Sequence, residues 1–204
     1  MIEILFSFVL ATLALAVSPG PDNIFVLTQS MVNGRKFGLA TVYGLMTGCI
    51  IHTTLVAFGV SEILKRNENL FFAIKLFGAG YLLYLAYQVF RSSSEIVFST
   101  DNVQQKTTFQ LFKTGFWMNV LNPKVTIFFL AFFPQFLFSE EISTVIQFYV
   151  LGGLFILTSF IVFSAIAFLA GSISKYTTSH KNAGVFFKWL QIVVFVGIAA
   201  FILI

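Results

Sequence analysis

The sequence predicts an all-α integral membrane protein with six transmembrane helices, arranged as two inverted repeats of three helices. Three observations support this prediction: an apolar composition, six long apolar stretches, and two breaks inside otherwise apolar helices. Of the 204 residues, 58% are hydrophobic and 10% are charged, and the mean hydropathy is +0.93. Soluble domains carry about a quarter charged residues, so this chain has too little polar surface to fold in water.

Each of the six apolar stretches is near or above the roughly 20 residues that a spanning helix needs. The stretches are residues 4–31, 39–64, 70–90, 111–138, 142–170 and 185–204. We predict a single transmembrane domain over residues 1–204, with repeat one at about 1–90, a linker at 91–110 and repeat two at about 111–204. Three helices is an odd number, so related halves would have opposite orientations in the membrane. The polar segments between the stretches, including 172–184, are expected to be loops.

The first break lies at residues 18–23, which read Ser-Pro-Gly-Pro-Asp-Asn inside the first apolar stretch. Two prolines and a glycine cannot continue a regular helix, and the freed backbone groups need partners that lipid does not offer. An acidic side chain in the middle of such a stretch is costly and is typical of a functional site. We therefore predict a discontinuous first helix. Its candidate substrate-binding residues are Pro19, Gly20, Pro21, Asp22 and Asn23.

The second break lies inside the stretch 111–138, which would also be overlong as one helix. Asn122 is suited to cap the second half-helix and Pro123 to be its first residue. The free amides there favour a carboxylate, whereas carbonyls freed before Pro19 favour an ammonium group, so the two breaks suit a zwitterion. We expect the opposite charges of Asp22 and Lys124 to pair when no ligand is bound. The candidate substrate-binding residues of this break are Asn119, Asn122, Pro123 and Lys124.

Helices two and three hold the candidates for specificity or coupling, which are Gly44, Gly48, His52 and Tyr81. Glycines four residues apart most simply allow another helix to approach closely. His52 is either a hydrogen-bonded histidine of the bundle or a proton-linked residue. The hydroxyls of helix five, including Ser159 and Ser164, can bond to carbonyls of their own helix and give no functional signal.

The distribution of Lys and Arg predicts the orientation. Loops on one side hold Arg35, Lys36, Arg91, Lys106, Lys113, Lys175, Lys181 and Lys188. The other side holds Lys65 and Arg66 together with Glu3, Glu62, Glu68, Glu140 and Glu141. The positive-inside rule places the first set in the cytoplasm and both termini outside. The chain begins without the basic region of a secretory signal, so we expect the first helix to be retained.

The sequence lacks the motifs that are typical of several classes of enzyme and of nucleotide-driven proteins. The sequence has no P-loop, no His-Glu-x-x-His, no Gly-x-Ser-x-Gly and only one cysteine, Cys49. We therefore expect neither an enzyme nor a protein with a cofactor or a bound metal. The net charge of +4 is small and its basic residues are spread through the loops, which indicates membrane topology and not nucleic-acid binding.

The sequence resembles the lysine exporter (LysE/RhtB) family of bacterial amino-acid efflux carriers over nearly its whole length. The resemblance is carried by residues 18–22, by the spacing of Gly44, Gly48 and His52, and by three further segments. These segments are 75–85 (KLFGAGYLLYL), 116–124 (FWMNVLNPK) and 129–136 (FLAFFPQF). The resemblance implies a multi-pass carrier of the bacterial inner membrane that exports amino acids or close derivatives, driven by protons. It does not identify the amino acid.

Two other classes of membrane protein share features of this sequence. A thiol-electron carrier would need a cysteine at each break, and Cys49 stands alone, which excludes it. A metal-ion exporter of similar architecture would need several inward-facing ligands. Asp22, His52 and Cys49 are a small set but keep that alternative open. The oligomeric state, including a homo-oligomer, is left open by the sequence.

Overall fold

The computed structural model describes residues 1–66, 68–93, 106–179 and 183–203, and over these ranges it consists of helices and short connections. The α-helices are α1 (Ile2–Val17), α2 (Pro21–Val32), α3 (Arg35–Leu55), α4 (Ser61–Arg66), α5 (Glu68–Arg91), α6 (Thr108–Val120), α7 (Pro123–Ile127), α8 (Thr144–Phe168), α9 (Ala170–Ser179) and α10 (Ala183–Leu203). A π-helical turn, Val56–Val60, joins α3 to α4. Another π-helical turn, Phe128–Phe132, and a 3₁₀ turn, Phe133–Phe136, continue α7.

Four segments of the described chain are long and apolar enough to cross a membrane as single helices: Arg35–Ile63, Asn69–Arg91, Thr144–Phe168 and Ala183–Leu203. Two bent pairs of helices provide up to two further spans, if each pair is counted as one span. Helices α1 and α2 meet at 60°, and α6 meets the segment Pro123–Phe136 at 49°. These findings confirm the all-α membrane fold and both discontinuous helices.

The residues at each break explain why the helix stops there. Gly20 is extended, with φ −161° and ψ 175°, and Pro21 is the first residue of α2. At the second break the Asn122 side chain accepts a hydrogen bond of 3.0 Å from the Lys124 backbone N–H, and Pro123 opens α7. The predicted N-cap is therefore confirmed. Proline at the first helical position loses no hydrogen bond, because its N–H would have no partner within the helix.

Packing between the two halves brings the breaks together. Helix α3 packs along α6, α8 packs along α1, and α5 packs along α10. Exchanging the halves would map the α3–α6 contact onto the α8–α1 contact, which is the pattern that a pseudo-two-fold relation requires. This pattern supports the inverted repeat, which stays a prediction.

Glycine sets the distance between α3 and α6. A Cβ at Gly44 would lie 2.0 Å from the backbone oxygen of Phe112, and a Cβ at Gly115 would lie 2.3 Å from that of Thr41. Two backbones can approach this closely only where side chains are missing. The close approach predicted from the glycine spacing of helix two is confirmed.

The core beside the second break is aromatic. Phe129 stacks on Phe133 with ring centroids 4.0 Å apart, and Phe128 stacks on Phe132 at 4.5 Å. Phe8 of α1 meets Phe133 edge-on at 5.0 Å. Ring packing thus holds the segment Pro123–Phe136 between α1 and the remaining helices. This packing also positions the start of α7.

The expected loop at 172–184 is wrong at both ends, because α9 extends through Ala170–Ser179 and α10 begins at Ala183. The segment contains no proline, and Ile173 lines an apolar cavity together with Leu27 of α2. Packing of α9 against α2, α8 and α10 favours the helix over a loop. The predicted linker 91–110 is described only at its ends, and Lys181 and the side chains of Lys65, Arg66 and Glu68 lie outside the described part.

Candidate functional site

A cavity of about 40 Å³ lies where the two helix breaks meet. Its lining includes seven residues that the sequence singled out: Gly20, Pro21, Asp22, Asn23, Asn119, Asn122 and Lys124. The remaining lining residues are Leu15, Ala16, Leu45, Met46, Cys49, Val125, Phe155, Ser159 and Phe163. The polar groups therefore come mainly from the break segments, and the apolar wall comes mainly from α3 and α8.

Asn122 connects the two breaks. Its Nδ2 donates a hydrogen bond of 2.9 Å to Oδ2 of Asp22, which lies 100 residues away in the sequence. Its Oδ1 accepts the Lys124 backbone N–H at 3.0 Å. One amide side chain thus caps α7 and binds the carboxylate at the start of α2. Asp22 is only 8% exposed, so this hydrogen bond stabilises a carboxyl group that has little contact with solvent.

Lys124 does not form the expected ion pair. Within the described residues, the structure contains no salt bridge between its ammonium group and the Asp22 carboxylate. Instead, the Lys124 Nζ lies 5.0 Å from the centroid of the Phe195 ring of α10, which places a cation over an aromatic face. In place of a direct pair, Asn122 binds the carboxylate and the Phe195 ring lies beside the ammonium. Both charged groups line the cavity without neutralising each other by contact.

Asn23 changes the expected role of the carbonyls before the first break. Its Nδ2 donates a hydrogen bond of 2.7 Å to the carbonyl oxygen of Ala16. This bond satisfies one of the carbonyls that were expected to attract an ammonium group or a cation. Among the residues that line the cavity, Asp22 is the acidic one.

The candidates Gly48 and His52 support Asn119 and do not line the cavity. A Cβ at Gly48 would lie 2.7 Å from Oδ1 of Asn119, so the asparagine packs directly on this glycine. The Nε2–H of buried His52 donates to the Asn119 carbonyl oxygen at 3.1 Å, since a carbonyl can only accept. This contact gives His52 a structural partner. Its role in coupling stays a prediction.

The other candidates also lie outside the cavity lining. Gly44 contacts the α6 backbone, and Tyr81 packs near Tyr84, with ring centroids 6.3 Å apart. Pro123 occupies the first position of α7. Pro19 lines a second, apolar cavity of about 380 Å³ between α1, α2, α8 and the helices that follow it. A direct role of these residues in substrate binding stays a prediction.

The sequence indicated specificity candidates on helix two, which is α3, but did not identify Leu45 and Met46 of α3 or any residue of α8 as lining the cavity. Phe155, Ser159 and Phe163 recur every four residues on one face of α8, which is the only local signal they carry. Ser159 does not form the bond to its own helix that its position allows, and its buried Oγ has no hydrogen-bond partner. The buried Oδ1 of Asn119 is also unpartnered.

Asp22, His52 and Cys49, the possible ligands of a metal-ion exporter, do not form a metal site. Over the described ranges, no group of three or more His, Cys, Asp and Glu side chains is placed to hold a metal ion. His52 is bonded to a backbone carbonyl and Cys49 is a buried free thiol.

The family model of the LysE type translocator matches residues 13–204. The chain belongs to this family. It is also 32% identical over 177 residues to the homoserine/homoserine lactone efflux protein of Salmonella typhimurium, a match that covers 87% of this chain and 85% of the relative. The protein of the same name from Salmonella typhi matches to the same extent. No solved structure gives a significant match.

Membership of the LysE type translocator family confirms the resemblance found in the sequence. Translocators move a substrate across a membrane and leave its bonds unchanged. The chain is therefore a multi-pass membrane transporter and not an enzyme.

Proposed function

We propose that this transporter exports an amino acid or a close derivative across the bacterial inner membrane, and that the cavity at the two breaks binds it. The observation that carries the proposal is the lining of that cavity, which holds the Asp22 carboxylate and the Lys124 ammonium without a direct ion pair between them. Two opposite charges on separate helix breaks match the two charges of a zwitterion.

In the proposed complex the substrate ammonium binds the Asp22 carboxylate at the start of α2. The substrate carboxylate binds the Lys124 ammonium and leaves its aromatic contact with Phe195. Asn122 keeps the two break segments at a fixed separation, because it bonds to Asp22 and caps α7. Charge-assisted hydrogen bonds of this kind contribute about 1.5–3 kcal/mol each.

Transport requires that the cavity change size. A volume of about 40 Å³ accommodates a few water molecules and is smaller than an amino acid. The bends of 60° and 49° are the places where half-helices can move without breaking a regular helix. We infer that these half-helices separate when the substrate binds and close when it leaves.

The names of the relatives suggest the first substrates to test. Homoserine is a zwitterion with a hydroxyl group, whereas homoserine lactone keeps the ammonium and lacks the carboxylate. The two compounds therefore separate the two halves of the proposed site. Loss of the Lys124 charge should weaken homoserine binding and leave the lactone nearly unaffected, whereas loss of the Asp22 charge should weaken both.

The test is counterflow of radiolabelled homoserine in proteoliposomes, with unlabelled homoserine or homoserine lactone as competitor. For Lys124→Gln we expect homoserine to bind about 10- to 100-fold more weakly, with little change for the lactone. Lys188→Gln is the matched control, because the Lys188 ammonium bonds to the Ser92 carbonyl outside the cavity. Equal homoserine affinity in Lys124→Gln and the native protein would contradict the carboxylate half of the site. Transport of zinc but of no amino acid would favour a metal-ion exporter instead.

We further propose that export is coupled to protons through Asp22, the acidic residue buried in the cavity. Asp22→Asn should abolish accumulation driven by a pH gradient, while exchange at saturating substrate continues. Accumulation against a gradient by Asp22→Asn would assign coupling to another residue, with His52 the next candidate.

A further inference from the structure

Ser159 is the one polar residue that α8 contributes to the cavity lining, and its hydroxyl forms no hydrogen bond within the protein. The residue is 2% exposed, and its Oγ has no hydrogen-bond partner. Buried hydroxyl groups are nearly always hydrogen-bonded, and an unbonded one lowers stability. A buried hydroxyl that lines a cavity and lacks a partner therefore points to a ligand that provides one.

Five buried hydroxyl groups of the described residues have no hydrogen-bond partner, those of Thr12, Ser18, Ser61, Ser159 and Ser164, and of these only Ser159 lines the cavity. Other hydroxyls are satisfied within their own helix. Ser30 donates to the Val26 carbonyl at 2.7 Å, and Thr53 donates to the Cys49 carbonyl at 2.8 Å, each four residues back along its helix. This local bond is the usual way for a hydroxyl to be satisfied inside an apolar helix. Ser159 makes no such bond, so its hydroxyl remains available to a ligand in the cavity that the residue lines.

The surroundings of Ser159 are apolar. Phe155 and Phe163 lie one turn before and after it on α8, and α3 contributes Leu45 and Met46 to the same lining. The charged groups come from the break segments, where Asp22 and Lys124 are. A zwitterion bound to those charges would direct its side chain toward the α3 and α8 wall, where Ser159 can form a hydrogen bond.

We propose that Ser159 is a specificity-determining residue that hydrogen-bonds the side-chain hydroxyl of the exported amino acid. This inference rests on the proposed function of the cavity. A site built to bind a hydroxyl group discriminates strongly against an analogue that lacks it, because the protein group is then left unpaired in an apolar environment. Ser159 therefore selects a small hydroxylated amino acid over an apolar one with the same carbon chain.

The test compares homoserine with 2-aminobutyrate, which has the same carbon chain and lacks the hydroxyl group. Both are used as competitors in counterflow with the native transporter and its variants. Ser159→Ala should weaken homoserine about tenfold or more and leave 2-aminobutyrate unchanged or improved, so that the preference between them is lost. Ser159→Thr keeps a hydroxyl and should retain part of the preference.

Ser164→Ala is the matched control. The Ser164 Oγ is also buried without a partner on α8, but Ser164 does not line the cavity. Its substitution should leave the ratio of the two affinities unchanged. If Ser159→Ala does not fold, the ratio measured for Ser159→Thr and Ser159→Cys decides the question, since a thiol is a much weaker hydrogen-bond donor.

The outcomes separate this inference from the proposed function. Equal weakening of both compounds by Ser159→Ala, or an unchanged ratio, would overturn the specificity role while amino-acid transport stands. Failure of the native protein to transport either compound, or any other amino acid, would overturn the proposed function itself.

Discussion

Gly44→Ala should disrupt the contact between α3 and α6, because a Cβ at Gly44 has no room. The added Cβ would lie 2.0 Å from the Phe112 carbonyl oxygen and 2.8 Å from the Phe116 backbone nitrogen, whereas ordinary contact begins at 3.4 Å. Both neighbours are backbone atoms, so no side-chain rotation can relieve the overlap. The helices must separate by roughly 1 Å or more, and overpacking of this kind costs about 1–3 kcal/mol.

The measurement is the midpoint of thermal unfolding in detergent, followed by fluorescence size-exclusion chromatography. For a chain of this size, 1 kcal/mol corresponds to about 2–4 °C, so a cost of about 1–3 kcal/mol should lower the Tm of Gly44→Ala by roughly 2–12 °C. Gly153→Ala is the control, because no atom lies within 4 Å of its Cβ, and alanine there should be neutral or slightly stabilising. Equal midpoints for the two variants would refute the close α3–α6 contact.

Three further predictions follow from contacts around the site. Gly48→Ala should displace the Asn119 side chain and reduce transport. It should lower Tm less than Gly44→Ala, because the added Cβ overlaps a side chain and not the backbone. An unchanged transport rate would contradict this prediction. His52→Gln should keep a donor for the Asn119 carbonyl and preserve gradient-driven accumulation, whereas His52→Leu should reduce folding yield. Loss of accumulation in His52→Gln at a normal folding yield would favour a coupling role of His52. Gln147→Leu removes four hydrogen bonds to the backbone of the segment 138–142 and should lower Tm by several degrees, an effect that Gln147→Glu should only partly reproduce.

The helix breaks could be predicted because their causes are local. Pro21 has no backbone N–H, Pro123 suits the first position of a helix, and Asn122 is a favourable cap. Each property belongs to one residue and its immediate neighbours, so the chain must bend at these places whatever packs around them. The helix spans and the family membership could be predicted for the same reason. The length of each apolar stretch and the order of the motifs are properties of the sequence alone.

The contacts of the charged groups could not be predicted in the same way. Asp22 and Lys124 occupy equivalent places after the two breaks, and their opposite charges favoured an ion pair. The structure places Asn122 on the carboxylate and Phe195 by the ammonium instead. Phe195 belongs to α10, far from the breaks in sequence, and nothing local to Lys124 indicates it.

The sequence by itself determined that the protein crosses the membrane, where its helices break, and which charges stand at the breaks, because solvation and backbone geometry act residue by residue. Only the tertiary structure decided which groups remain available to a substrate. Asn23 satisfies the Ala16 carbonyl, and Ser159 keeps an unbonded hydroxyl in the cavity lining. These outcomes depend on how each helix is rotated about its axis, and that rotation is fixed by packing between distant parts of the chain, such as the contact of Gly44 with α6.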